Sequence, residues 1–279
     1  MKFKNIGYPY FLWLGIFILI PLLLVAYFAF TTGDSQNFQT FSFSLDNFKR
    51  FFTPIYLNVL YKSVNLALIS TIICLVIGYP LAYIISKEKP RIRNIMILLV
   101  VIPMWMNFLL RTYAWLTLLG KNGILSKALS FIGFNNVQLL YNDTTVLLGM
   151  VYNFLPFMIL PIFSVLIKMD NRLLEAARDL GANKRMVFTK VVFPLSLPGV
   201  ITGITMVFIP AVSTFVISSL LGGNKSTLIG NLIEQQFRYT NDWHFGSAMS
   251  IILMVFILIS IAFSSKFDKD KESNRGGLW

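Results

Sequence analysis

Cysteine and histidine are almost missing from this sequence: Cys74 and His244 are one of each in 279 residues. A single cysteine forms no disulfide within the chain and carries no message about redox compartment. A lone histidine with no cysteine companions is a poor metal candidate, so no metal site is expected. Acidic side chains are scarce too, 12 against 24 Lys and Arg, and none of the twelve falls inside the long apolar runs. That argues against an intramembrane enzyme, which would want ionisable groups within its spans, where Arg111 is the one charge. A complete phosphate-binding loop is also absent. Gly223-Asn224-Lys225-Ser226 resembles the tail of one, but Ser218 stands where an earlier glycine is required. The chain is therefore not expected to hydrolyse ATP by itself.

Apolar length is what the chain has instead. Hydrophobic residues make up 56% of it and the mean hydropathy is +0.70, too apolar for a soluble domain of this size. Runs of about 20 residues, long enough to cross roughly 30 Å of hydrocarbon, fit six times. They cover residues 10–30, 64–85, 95–118, 145–167, 197–220 and 246–263. The expected fold class is an all-α membrane protein with six transmembrane helices. Lys2 and Lys4 precede the first run as they would a signal peptide, but the run is too long, holds Pro21 and lacks a small-residue cleavage site. It is read as a retained span.

Orientation follows from the basic residues. With both termini cytoplasmic, sixteen lie inside: Lys2, Lys4, Lys87, Lys89, Arg91, Arg93, Lys168, Arg172, Arg178, Lys184, Arg185, Lys190, Lys266, Lys269, Lys271 and Arg275. Seven lie outside: Lys49, Arg50, Lys62, Lys121, Lys127, Lys225 and Arg238. The net charge of +12 would suggest nucleic acid in a soluble protein. In short loops beside membrane ends it is explained by orientation and anionic lipid, so the bilayer is the expected partner and nucleic acid is not.

Along the chain, the outer loop 31–62 carries Gly33, Asp34, Asp46 and the aromatic-rich stretch around Pro54, with room for an interfacial helix. A tight turn at residues 87–94 makes the second and third spans antiparallel neighbours. Arg111, in the third, either faces a partner or wet cavity or snorkels to the outer surface. Glycines 120, 123 and 133 suggest turns in the next outer loop. Asn142-Asp143-Thr144 and Asn224-Lys225-Ser226 fit glycosylation sequons by accident of composition. Pro156, Pro161 and Pro210 interrupt the fourth and fifth spans and mark places for a pathway or hinge. In the NDWHFG stretch, Trp243 and Phe245 read as interfacial anchors beside His244.

Residues 170–200 form the longest charged and weakly apolar interval. Leu173, Leu174, Ala177 and Leu180 fall on one helical stripe, and Arg172, Glu175 and Asp179 share another. Asp170 or Asn171 suits the start of this short helix and Gly181 its left-handed end. A second short helix is expected from near Asn183 toward Pro194. Glu175-Ala176-Ala177, then Gly181, then Phe193-Pro194, resembles the EAA loop of the membrane subunits of bacterial ABC importers. Phe193 departs mildly from the usual aliphatic residue before the proline. The segments at 109–120, 152–163, 173–182 and 220–237, with DWHFGSA after them, make the chain similar to the PotB-type permeases of spermidine/putrescine importers.

The resemblance implies a type I ABC importer fold and the division 1–59 (first helix and outer loop), 60–265 (permease core, EAA loop at 170–199) and 266–279 (cytoplasmic tail). It implies a PotC-type sister permease forming a heterodimer, two PotA-type ATP-binding subunits that hold ATP and Mg, and an external PotD-type polyamine-binding protein. Glu175, Ala176, Ala177, Gly181, Ala182 and Pro194 would couple to the ATPase. For the substrate pathway the residues themselves offer Trp105, Tyr113, Trp115 and Phe215 as aromatic faces for an ammonium. Ser213, Thr214, Ser218 and Ser219 offer hydroxyls, Arg111 the buried charge, and Glu234 and Asp242 carboxylates for the entrance. The expected function is polyamine import by alternating access in a bacterial inner membrane. The alternatives are a permease for another small solute and a non-transporting signalling or structural subunit.

Overall fold

The computed structural model describes residues 12–33, 42–132 and 138–275, with side chains at 129, 224 and 265–275 left aside. Lys2, Lys4, Asp34 and Gly133 lie outside the described residues, as do the side chains of Asn224, Lys266, Lys269, Lys271 and Arg275. Five described helices are long and apolar enough to cross a membrane, and a bent pair makes a sixth if it counts as one span.

The elements in order are α1 (Leu12–Ala29), β1 (Thr31–Thr32), β2 (Ser42–Phe43), α2 (Asp46–Phe51), α3 (Pro54–Lys87) and α4 (Pro90–Trp105). Then come α5 (Phe108–Leu119), α6 (Ile124–Phe131), α7 (Asp143–Leu166), α8 (Asn171–Asp179), α9 (Lys184–Ser213), α10 (Ile229–Arg238) and α11 (Trp243–Arg275). The two strands form a small antiparallel hairpin with Thr31 opposite Phe43 and Thr32 opposite Ser42. The loop after α1 thus holds this hairpin and the six-residue α2.

Two expected spans differ. The run 95–118 is broken at Met106 and Asn107, and the helices on either side meet at 92°. Pro103 removes a backbone donor near the end of α4, Met106 is extended, and Asn107 caps α5 by accepting from the amides of Leu109 and Leu110. The run 197–220 is displaced: its helix starts at Lys184 and ends at Ser213, where Thr214 turns extended before a π turn at Ser218–Gly222. The early start has a local cause. Pro194 cannot donate to the preceding turn and its ring crowds the carbonyl four residues back, so the helix widens into a π turn at Phe188–Val192 instead of stopping. The short separate helix expected from Asn183 to Pro194 is therefore the first part of α9. Pro21 is absorbed in the same way, by a π turn at Gly15–Leu19.

The chain divides into two compact units. One comprises the described residues up to Tyr61 together with Ile229–Ile259. In it His244 is buried, its Nδ1 3.0 Å from the Phe28 carbonyl oxygen and 3.1 Å from Thr31 Oγ1. Phe245 is fully buried under the Arg50 guanidinium, 4.0 Å from the ring centroid, and beside Tyr56. Phe245 is therefore part of the packing and not the interfacial anchor expected of it; Trp243 remains half exposed, edge-on to Phe28.

The other unit runs from Lys62 to Leu228 and takes in the chain from Ser260 onward. Its core is the packing of α7 on α9, with Met158, Ile159, Ile162 and Val207 buried. Glycines permit the approach. A Cβ at Gly203 would lie 2.8 Å from Met158 Sδ, and one at Gly199 would lie 2.8 Å from the Pro161 carbonyl oxygen. Gly78 of α3 faces Met158 in the same manner.

Candidate functional site

Residues 170–194 form a capped helix, a glycine turn and the start of α9. The Asp170 carboxylate accepts from the Arg172 amide at 2.9 Å, which settles the choice between the two possible caps. At the other end the Gly181 amide donates to the Arg178 carbonyl at 2.8 Å and the Ala182 amide to the Ala177 carbonyl at 3.0 Å. That pair of bonds is a Schellman motif, which requires a left-handed residue at Gly181, and its φ is +84°. Asn183 then caps α9 by accepting from the Met186 amide at 2.9 Å.

The predicted apolar stripe is only half realised. Leu174 is 5% exposed and Ala177 half-buried, while Leu173 is 49% and Leu180 89% exposed. Leu173 lies about 100° around the helix from Leu174, and Leu180 has left the helix at its C-cap. Two leucines thus stand in the open beside exposed Glu175 and Ala176. Glu175 has no ion pair or side-chain hydrogen bond among the described residues. Ala182 is half-buried and Pro194 exposed. The turn is small, with uncovered leucines, an unpaired carboxylate and no atom within 4 Å of a Cβ built on its glycine.

The expected pathway residues are spread over several elements and belong to both units. Arg111, Tyr113 and Trp115 lie on α5, which packs on the Ser218–Gly222 turn, so the structure does bring these elements together. Trp115 meets Tyr152 of α7 edge-on at 5.3 Å. Ser218 is buried, its hydroxyl on the Phe215 carbonyl, while Ser219 is exposed and Phe215 partly so. Trp105 is set apart from α5 by the bend and is exposed. Ser213 donates to the Ile209 carbonyl, and Thr214 stands at the helix end. Arg111 is 7% exposed, so it is enclosed and does not snorkel; its Nε and Nη1 have no acceptor among the described residues. Glu234 and Asp242 belong to the other unit, and each is held by an arginine, Arg238 and Arg50, at 2.8 Å.

Sequence reasoning missed Tyr79 and Ser196, whose hydroxyls meet at 2.8 Å in the core, and Asp143, which binds Lys62 and Ser226. The signal for Ser196 was a hydroxyl isolated between Pro194 and Pro198 in an apolar run.

A family model described as binding-protein-dependent transport system inner membrane component matches residues 74–272, which include the whole capped helix, glycine turn and α9. The chain belongs to this family. Among its relatives, the spermidine/putrescine transport system permease protein PotB of Haemophilus influenzae is 45% identical over 253 residues, covering 90% of this chain and 88% of that protein. The protein of the same name from Escherichia coli K12 is 40% identical over 245 residues, covering 87% and 89%. A chain of a bacterial alginate ABC transporter, solved in complex with a pentasaccharide-bound periplasmic protein, superposes with a TM-score of 0.79 at 16% identity. That match covers 94% of this chain and 91% of the other, and it shows a shared fold. This binding-protein-dependent permease is a multi-pass protein of the inner membrane.

Proposed function

We propose that this chain is the permease subunit of an ATP-driven importer that carries polyamines, spermidine or putrescine, across the bacterial cytoplasmic membrane by alternating access. The uncovered turn at Gly181 carries the importer reading. Its exposed leucines and unpaired Glu175 fit a groove on an ATP-hydrolysing partner, and its Schellman geometry keeps the loop compact enough to enter one. The polyamine reading is supported by the 45% identity to the Haemophilus influenzae permease. A PotC-type sister permease, two PotA-type subunits with ATP and Mg, and an external PotD-type binding protein complete the assembly.

The chemistry of the chain is consistent with a polycation as transient guest. Trp105, Tyr113, Trp115 and Phe215 each offer an aromatic face worth about 0.5–2 kcal/mol to an ammonium, a weak hold that suits passage. Among the described residues the carboxylates outside the basic-rich segments, Asp46, Asp143, Glu234 and Asp242, are each bonded to a cation of the chain itself. Carboxylates for the substrate are then supplied by the sister permease or the binding protein.

The deciding experiment is uptake of labelled spermidine into vesicles that contain the whole reconstituted complex. ATP-dependent uptake is expected, and Glu175→Ala is expected to reduce it about tenfold while the complex stays assembled, as loss of one charged hydrogen bond at an interface does. ATP turnover with no polyamine entering would sink the substrate assignment and leave the importer standing.

A further inference from the structure

Between the Gly181 turn and the body of α9 lies one soft place. Residues 188–192 form the π turn forced by Pro194, where the regular hydrogen-bond ladder is interrupted. Beyond it α9 is pressed against α7 through Gly199 and Gly203 and has no room to give. A push on the Gly181 turn would be lost by flexing at the π turn unless something held that turn closed.

Tyr79 of α3 is placed to hold it. It is 8% exposed, and its ring meets Phe188, the first residue of the π turn, at 5.9 Å and Phe193, the residue that closes it, at 5.7 Å. Tyr83, one turn further along α3, meets Phe188 at 5.4 Å. The Phe193 amide donates to the Phe188 carbonyl across the turn. Ser196 Oγ donates to the Phe193 carbonyl at 2.8 Å, so the Tyr79 hydroxyl, 2.8 Å from Ser196 Oγ, is the donor of the remaining bond. Ser196 is fully buried. One hydroxyl relay, Tyr79 to Ser196 to Phe193, therefore ties α3 to the far side of the π turn, while two aromatic contacts tie it to the near side.

We propose that Tyr79 and Ser196 are positioning residues of the coupling joint: they lock the π turn of α9 onto α3, so that displacement of the Gly181 turn moves α3 and α9 as one body. This rests on the reading of that turn as the point where the ATPase pushes.

The test uses the whole complex with two variants, Tyr79→Phe, which keeps the ring and removes the hydroxyl, and Ser196→Ala. Spin labels at Lys184→Cys and Ile84→Cys in a Cys74→Ala background report the distance across the joint with and without ATP and vanadate. The distance is expected to stay unchanged by nucleotide in the otherwise wild-type joint and to spread with nucleotide in both variants. Spermidine taken up per ATP hydrolysed is expected to fall about threefold to tenfold in Tyr79→Phe, the range given by one buried hydrogen bond, and at least as far in Ser196→Ala, which removes two. The double variant is expected to do no worse than Ser196→Ala, which already removes the Tyr79 bond together with the bond to the Phe193 carbonyl. A nucleotide-dependent distance in the wild-type joint, or none in the variants, overturns the proposal, as does a parallel fall of uptake and hydrolysis that leaves their ratio unchanged. Should the wild-type complex import no spermidine, the functional reading fails, while the distance measurement still decides the joint.

Discussion

At Gly181 the backbone stands at φ +84°, and a Cβ built there would meet nothing within 4 Å. Substitution therefore costs conformation and not space, about 1–2 kcal/mol for an ordinary side chain and less for Asn or Asp. Gly181→Asn is expected to keep most of the uptake activity and Gly181→Val to lose it, with both proteins present in the membrane. Gly181→Asp preserves the turn but sets a charge on the docking face, so ATP hydrolysis is expected to continue without transport. Loss of that variant from the membrane would show instead that the glycine serves folding. Arg50 makes a different kind of contact, pairing with Asp242 while its flat guanidinium covers Phe245. Lysine keeps the charge and loses the stacking, so Arg50→Lys should cost about 0.5–1 kcal/mol in thermal unfolding of the complex.

Helix packing separates two glycines that look alike in the sequence. A Cβ at Gly199 would run into the Pro161 carbonyl and the Ile162 backbone, which have nowhere to go. One at Gly78 would come no nearer than 3.1 Å to its neighbours, and the atom it meets there is Cγ of the flexible Met158 side chain. Gly199→Ala is therefore expected to destabilise the solubilised subunit by about 1–3 kcal/mol and Gly78→Ala by clearly less, read from their thermal midpoints. Elements of this kind were partly legible beforehand. The capped helix at 170–181 was readable because Asp170, Gly181 and Asn183 each carry a local chemical reason for their place. The bend at Asn107 and the π turn at Phe188 were not, because an apolar run has the same hydropathy whether it is straight or broken. Phe245 was misjudged because an aromatic beside a membrane end has the same sequence signal whether it anchors or packs. The enclosure of Arg111 is not given by its own residue type and emerged only from the packing around α5.

For the chain as a whole, the charge bias of its loops makes an orientation that a sided reagent can test. In a Cys74→Ala background, a membrane-impermeant thiol label is expected to reach Ile124→Cys from outside and Leu180→Cys only after the membrane is opened. Labelling in the reverse order would invert the topology. Pathway residues expected from the sequence fall in both compact units, and a single local motif could not have gathered them. The π turn ahead of Pro194 also bears on the ancestry of the chain. A π turn holds one residue more than the α-helical turn it replaces, and each residue turns an α-helix by about 100°. Deleting one residue between Phe188 and Val192 would thus take that extra residue away and swing Glu175 by about 100° from its present bearing. Among relatives, a one-residue gap just before this proline would mark permeases whose docking loop points elsewhere and whose ATPase partners are not interchangeable with this one's.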